Sequence, residues 1–402
     1  MKWRYRLGAA AGNALEYYDI AVFAAISVYL SAELEKQGYE SATEMVWGIF
    51  ALRFLARPIG GYIIGRYADR SGKRSALILT SLITGTATLC MALLPVNLLG
   101  VYTPVAILIL QMTLSFSFGG EYPSLITYLF SDAKENEKAR LSSLIVSSSV
   151  LGVIISLGLV FLLEKTLAPE MMQTIGWRIP LLVGLGNIMM SFWFRTRLPA
   201  LPVHPVKNKR VNCYQALLIF LMTVPGSAVF YSYNMSYSLV REHIQIEVLR
   251  NSYTIYSSCL YLFCILICGW LTDKYSSVNS IFRFSIASLV VCSVPIYFLL
   301  GSEYFGLVIF AQLILTINAA CISCTLASVI AGICEGHTTT LSLGYNLAST
   351  FVGGLTPLIL SYLVAYDLTF AGAYLAISGL TVVLSYKLMR TNKIKRYTPQ
   401  TE

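Results

Sequence analysis

The stretch Gly65-Arg-Tyr-Ala-Asp69-Arg70-Ser-Gly72-Lys73-Arg74 decides how this chain is read, because it has an echo. Gly269-Trp-Leu-Thr-Asp273-Lys274 repeats its G-x-x-x-D-[RK] pattern 204 residues later, half the length of a 402-residue chain. Three matching positions carry little weight alone. The same match at the corresponding place in each half carries much more. Each copy closes an apolar segment and opens onto charged residues, so the chain reads as two repeats of one plan.

The sequence around the two copies is strongly apolar. Hydrophobic residues make up 56% and charged residues 12%, about half the charge of a soluble domain. Mean hydropathy is +0.67. Disorder needs low hydrophobicity and high charge, and a soluble globule this apolar could not cover its own surface. The lipid bilayer is the natural solvent. The net charge of +9 therefore points to the orientation of membrane helices rather than to nucleic acid. The opening MKWRYRLGAA is not a cleaved leader, because Glu16 and Asp19 interrupt the apolar run and no small-residue cleavage site follows.

A membrane-crossing helix needs roughly 20 mainly apolar residues. Twelve segments qualify, approximately 8–32, 44–66, 75–95, 101–131, 140–164, 176–196, 213–239, 250–272, 279–300, 304–331, 339–364 and 369–390. With the N-terminus placed inside, twenty-two of the 29 Lys and Arg residues fall on the inner side and five on the outer. Arg53 and Arg57 lie within the second segment. That asymmetry predicts an even number of spans with both termini cytoplasmic. The connection 197–212, with Pro199, Pro202, Pro205 and four basic residues, reads as a cytoplasmic linker. It separates two six-helix bundles, 1–196 and 213–402. Parallel six-helix repeats bind substrate between the halves, near the middle of the bilayer.

Charges deep in a membrane are costly and are functional candidates. Five occur, all in the first half: Glu16, Asp19, Arg53, Arg57 and Glu121. Glu16 and Asp19 share one helical face with Asn13, and Arg53 and Arg57 share another. At ~1.5 Å per residue the acids and arginines lie ~14–20 Å from the inner boundary, so antiparallel neighbours would set them facing each other. One reading is a protonatable cluster in which an acid exchanges an arginine for a proton. The other is a static ion-pair network that holds the half together.

The loop 65–74 also has two readings. It is either a plain basic cytoplasmic loop or a conformational latch. In the latch Gly65 allows close approach, Asp69 caps the N-terminus of the next helix or pairs with a basic residue of the other half, and Arg70, Gly72, Lys73 and Arg74 anchor the surface, with Asp273 and Lys274 as the second copy. Gly61-x-x-x-Gly65 and Ser148-x-x-x-Gly152-x-x-x-Ser156 are small-residue packing faces. Gly353, Gly354 and Pro357, and again Pro225 and Gly226, are places where a helix is expected to break. The seventh segment ends FYSYNMSY. Phe230, Tyr231, Tyr233, Asn234 and Tyr237 read either as part of a binding site, stacking on a cationic or zwitterionic ligand, or as an interfacial aromatic belt. Eight of the nine cysteines lie beyond residue 212, within apolar runs, and Cys321-x-x-Cys324 reads as small buried side chains. His204, His243 and His337 show no zinc spacing, and no phosphate-binding loop is present. No metal and no cofactor is expected beyond the proton as coupling ion.

These residues together resemble the metabolite:proton symporter branch of the major facilitator superfamily, which includes proline/betaine, α-ketoglutarate, citrate and shikimate carriers. The resemblance rests on GNALEYYD (12–19), RPIGGYIIGRYADRSGKR (57–74), FSFGGEYP (116–123), GWRIP (176–180) and YNLASTFVGGLTP (345–357), in order through both halves. It implies twelve helices, alternating access and proton-coupled uptake of a small polar metabolite by a monomer in a bacterial inner membrane. It also implies roles for Glu16, Asp19, Arg57, Asp69, Arg70, Glu121 and Asn346. Three positions depart from the pattern. Gln111 stands where such carriers usually have a basic residue, His337 stands where an arginine is common, and Arg53 is an extra charge. Arg53 is read as replacing the charge absent at Gln111, as a partner for the acids or an anchor for a substrate carboxylate. Two arginines favour a carboxylate, and the tyrosines favour an amino acid or betaine.

An exporter or drug/proton antiporter of the same fold is the nearest alternative, and the absence of proline from SSSVLGVIISLGL counts against it. A non-transporting receptor or scaffold gains nothing from buried charge. A membrane-embedded enzyme is disfavoured because no nucleophile, base and orienter set stands out.

Overall fold

The computed structural model describes residues 1–200, 211–234 and 247–397. The side chains of Leu15, Glu16, Asn187, Asn234, 247–256 and 392–397 also lie outside what it describes. The described residues form helices joined by short turns, without strands. The longer helices are α1 (Trp3–Lys36), α2 (Ala42–Leu52), α3 (Ala56–Ser71), α4 (Lys73–Ala92), α5 (Thr103–Phe130), α6 (Lys138–Thr166) and α7 (Arg178–Thr196). They continue with α8 (Cys213–Asn234), α9 (Glu247–Tyr275), α10 (Val278–Leu300), α11 (Phe305–Cys334), α12 (Thr338–Ala348), α13 (Thr356–Tyr366) and α14 (Thr369–Tyr397). Among the described residues ten helices are long and apolar enough to cross a membrane. There are eleven if Pro169–Gly176 and Arg178–Thr196, bent by 49°, form one span. Every one of the twelve expected segments has a helical counterpart.

The second segment, 44–66, which carries Arg53, Arg57 and Pro58, is not among the helices apolar enough to span. It divides at a 3-10 turn, Arg53–Leu55, between α2 and α3. Pro58 has no N–H to offer the carbonyl of Phe54, so the chain tightens just before it. The eleventh segment changes helix type near the expected break but stays one span over 338–366. A π turn, Ser349–Gly353, separates α12 from α13, and the Gly354 N–H reaches back to Ser349 O at 2.9 Å.

The seventh segment does not break. Helix α8 continues through Pro225 and Gly226, because the carbonyl that Pro225 leaves free, Leu221 O, accepts from the Thr381 hydroxyl at 2.7 Å. The same repair occurs in α5. Pro123 frees Gly119 O, and the Asn346 side-chain amide donates to it at 2.6 Å. In a bilayer such freed groups are satisfied by neighbouring helices.

The chain forms two compact units. The first is Met1–Glu137, Leu144–Val211 and Glu335–Asn346, and the second is Lys138–Ser143, Asn212–Cys334 and Leu347–Glu402. In the first, Tyr18, Phe23, Ile49, Met91, Ile107 and Trp177 anchor an apolar core shared by α1, α2, α4, α5 and α7. Its tightest crossing is α3 on α5, where Gly119 lies directly on the backbone of Arg57 and Gly61. Gly61 and Gly65 receive Ser342 and Asn346 of α12, and Gly152 lies on the α1 backbone at Ala14 and Tyr18. Both small-residue stripes are thus helix contacts. In the second unit, α10 packs on α11 and α14, and α8 on α14 and α11.

The crossing predicts a sharp contrast between two glycines. Gly119→Val has no room, since the obstacles are backbone atoms, and it should lower the apparent Tm of purified protein by about 5 °C or more. Gly158→Ala, on α6 with nothing within 4 Å of its new methyl group, should leave it unchanged or slightly raised. Equal melting of both variants would refute the close crossing.

Candidate functional site

Three helices of the first unit carry the deep charges inward. Asp19 of α1 is 5% exposed. Its Oδ2 accepts from the Thr88 hydroxyl of α4 at 3.1 Å, while its Oδ1 is buried with no hydrogen-bond partner among the described residues. That oxygen faces α7 at Gly184, where an added methyl group would stand 2.8 Å from it. Arg53 and Glu121 both act on Asp19 electrostatically. The Glu16 side chain is outside the described residues.

Arg53 and Arg57 are each 1% exposed. Arg53 donates through Nη1 to Gln111 Oε1 at 2.5 Å and through Nε to the Ser115 hydroxyl at 3.2 Å. Its guanidinium carbon lies 5.2 Å from the Phe50 ring centre and 5.7 Å from that of Phe54. The extra arginine and the glutamine at the place of the usual basic residue are therefore direct partners. Arg57 lies 5.8 Å from the Phe54 ring centre.

Glu121, buried in α5, is ion-paired and hydrogen-bonded with Arg195 of α7. Arg195 also donates to Leu77 O at 3.0 Å and to the Ser81 hydroxyl at 2.6 Å. The positive-inside count treats Arg195 as a boundary residue, but it is 1% exposed. Its room comes from Gly12, the first residue of GNALEYYD, whose missing side chain is the space the guanidinium fills. The charge in the last turn of the sixth segment was a signal for Arg195. Its pairing with Glu121 had none. Removing either partner of such a buried pair strands the other charge, at a cost of about 3–5 kcal/mol.

The remaining candidate residues are distributed as follows. The Asn13 amide is enclosed by α6, donating to Ile145 O at 3.0 Å, Ser148 Oγ at 2.9 Å and Ser149 Oγ at 2.8 Å. Asn346 donates to Gly119 O and to Ser342 O, next to the stacked rings of Tyr122 and Tyr345, 4.6 Å apart. In the second unit, Tyr231 and Tyr233 are buried. Tyr231 lies on Gly353. The Tyr233 hydroxyl bonds Thr316 and accepts from Gln312 Nε2 at 2.5 Å, and its ring lies 4.8 Å from Tyr261. The Asn234 side chain and all of Tyr237 lie outside the described residues.

The latch residues form two caps. Asp69 accepts from the Thr338 N–H at 2.8 Å, the Thr339 N–H at 2.9 Å and the Thr339 hydroxyl at 2.6 Å. It stands 3.1 Å from His337 Nδ1. Asp273 accepts from the N–H of Ala139 at 2.8 Å and of Arg140 at 2.9 Å, and from Arg140 Nε at 3.0 Å. Each carboxylate thus closes the start of a helix from the opposite sequence half, α12 and α6, so Asp69 caps a distant helix and not, as expected, the next one. Gly65 and Gly269 lie against those same helix starts, at Thr339 and Ala139. Gly72 turns the chain from α3 into α4 at φ 97°, ψ 147°, which favours glycine alone. Lys73 donates to Thr127 O at 3.1 Å, and Arg74 bonds Thr196 O. Arg70 is exposed, and Lys274 lies over the rings of Trp270 and Tyr275.

Comparison with known proteins agrees with this architecture. Residues 6–227 match the family model described as sugar (and other) transporter. The proline/betaine transporter of Salmonella typhimurium is 25% identical over 425 residues, covering 97% of this chain and 84% of that protein. A putative proline/betaine transporter of Staphylococcus aureus is 26% identical over 381 residues, covering 88% and 80%. Among solved structures, the major facilitator superfamily proton:xylose symporter XylE aligns with a TM-score of 0.70 at 16% identity, covering 97% of this chain and 95% of that one. The chain belongs to the sugar (and other) transporter family, with the fold of the xylose symporter, and it is a multi-span membrane transporter rather than an enzyme.

Proposed function

We propose that this chain imports a small zwitterionic or anionic metabolite, of the class of proline or a betaine, together with a proton by alternating access. The reading places it as a monomer in a bacterial inner membrane with both termini in the cytoplasm. The curated relatives named as proline/betaine transporters support the substrate class. The observation that carries the proton is Asp19, a buried carboxylate with one oxygen held by Thr88 and the other unpartnered. A proton can add at Oδ1 without displacing a hydrogen bond among the described residues. Protonation would remove the charge that Asp19 sets against Arg53 and change what Arg53 attracts. A substrate carboxylate could then compete with Gln111 for its guanidinium. Glu121, paired with Arg195, would be the fixed part of the cluster. The caps on Asp69 and Asp273 would form in one state of the cycle and open in the other.

Two substitutions test the division of labour in proteoliposomes supplied with radiolabelled proline or glycine betaine. Asp19→Asn should abolish uptake driven by a pH gradient while leaving substrate exchange in the absence of a gradient. Unchanged gradient-driven uptake would remove Asp19 from coupling.

Arg53→Gln should raise the apparent KM by roughly tenfold or more, the cost of one charge-assisted hydrogen bond to a carboxylate. An unchanged KM would remove Arg53 from the substrate site.

A further inference from the structure

The two caps differ in the cation beside the aspartate. At Asp273 it is Arg140, which keeps its charge at every physiological pH. At Asp69 it is His337, and imidazole is the side chain that changes charge between pH 5 and 8. Asp69 does not titrate in that range. Burial alone would raise its pKa, but the hydrogen bonds from His337, from the Thr339 hydroxyl and from the N–H groups of Thr339 and Thr338 outweigh it and hold the carboxyl at about 2. A lowered carboxylate pKa contributes stability above about pH 4 that is lost only as pH falls through about 2, so Asp69 stays ionised throughout the range in which an imidazole changes charge.

We infer that His337 is a positioning residue whose protonation sets how firmly Asp69 holds the start of α12. When charged, its Nδ1–H donates to Asp69 and adds a charge pair to the three hydrogen bonds already there. When neutral, Nδ1 can instead accept from the Thr340 N–H, 3.3 Å away, and the charge pair is gone. Charged groups from several elements face it among the described residues. Asp69 on α3 favours the imidazolium. Lys73 on α4, bonded to Thr127 O of α5 and set beside Gly336, opposes it, as does the positive end of α12 itself. Arg70 and Glu335 are exposed and opposite in sign. The cap at Asp69 therefore tightens at low pH and loosens at high pH, while the cap at Asp273 does not respond.

The inference rests on the cap geometry and holds whatever the substrate or coupling ion, so it is tested without transport. Hydrogen–deuterium exchange of the purified full chain is measured at about pH 5.5 and 7.5, with rates corrected for intrinsic chemistry. Amides 338–340 should be protected roughly tenfold more at the lower pH, and amides 139–141 equally at both. His337→Arg should keep the high protection at both values, and His337→Gln the low protection at both. A pH step that persists in His337→Gln, or one of equal size at 139–141, would overturn the inference. Should His337→Gln not fold, the two caps of the unmodified chain decide by themselves.

Discussion

A bilayer interior offers no water to a freed carbonyl or a lone charge, and that constraint explains most of the polar detail in this chain. Where Pro123 and Pro225 remove an N–H, Asn346 and Thr381 supply one from a neighbouring helix. Where Glu121 is buried, Arg195 meets it, and Gly12 makes the space. Asn13 is spent in the same way on α6. Polar side chains inside the helices therefore fall into two kinds. Most repair a local defect in the backbone or the charge balance. Asp19 is of the other kind: it is a carboxylate whose Oδ1, like the amide oxygens of Asn13 and Asn346, is buried without a hydrogen-bond partner among the described residues, but unlike them it can take up a proton there.

The architecture was legible because its signals are long and repeated. Apolar segments of spanning length mark the helices, and the paired G-x-x-x-D motifs mark the symmetry. The second segment was the least regular, since Pro58 tightens the helix at Arg53–Leu55. The continuity of α8 was not legible. A proline in sequence predicts a missing hydrogen bond, but only the fold shows Thr381 arriving from 156 positions away to replace it.

The buried charges of the candidate site were legible in kind more than in pairing. Counting depth along the helices found Asp19, Arg53, Arg57 and Glu121, and the substitution at position 111 pointed to Arg53 as its compensation. The structure puts those two in contact. The partner of Glu121 was hidden because an arginine at a helix end looks like ordinary positive-inside charge. The caps were half legible. The motifs identify Asp69 and Asp273, whereas the helix starts they close lie 269 and 134 positions away and leave no mark in the motif itself.

The bond from Asn346 to Gly119 O has an evolutionary corollary. An asparagine amide has taken over a duty that belongs to the backbone at position 123. While Pro123 is present, Asn346 cannot drift without exposing a carbonyl. If Pro123 mutated first, the restored N–H would reclaim that carbonyl, and Asn346 would be released from its task. The order of substitution thus matters. One path between the same two end points is open and the other passes through a damaged intermediate, so positions 123 and 346 should change as a pair with a preferred direction.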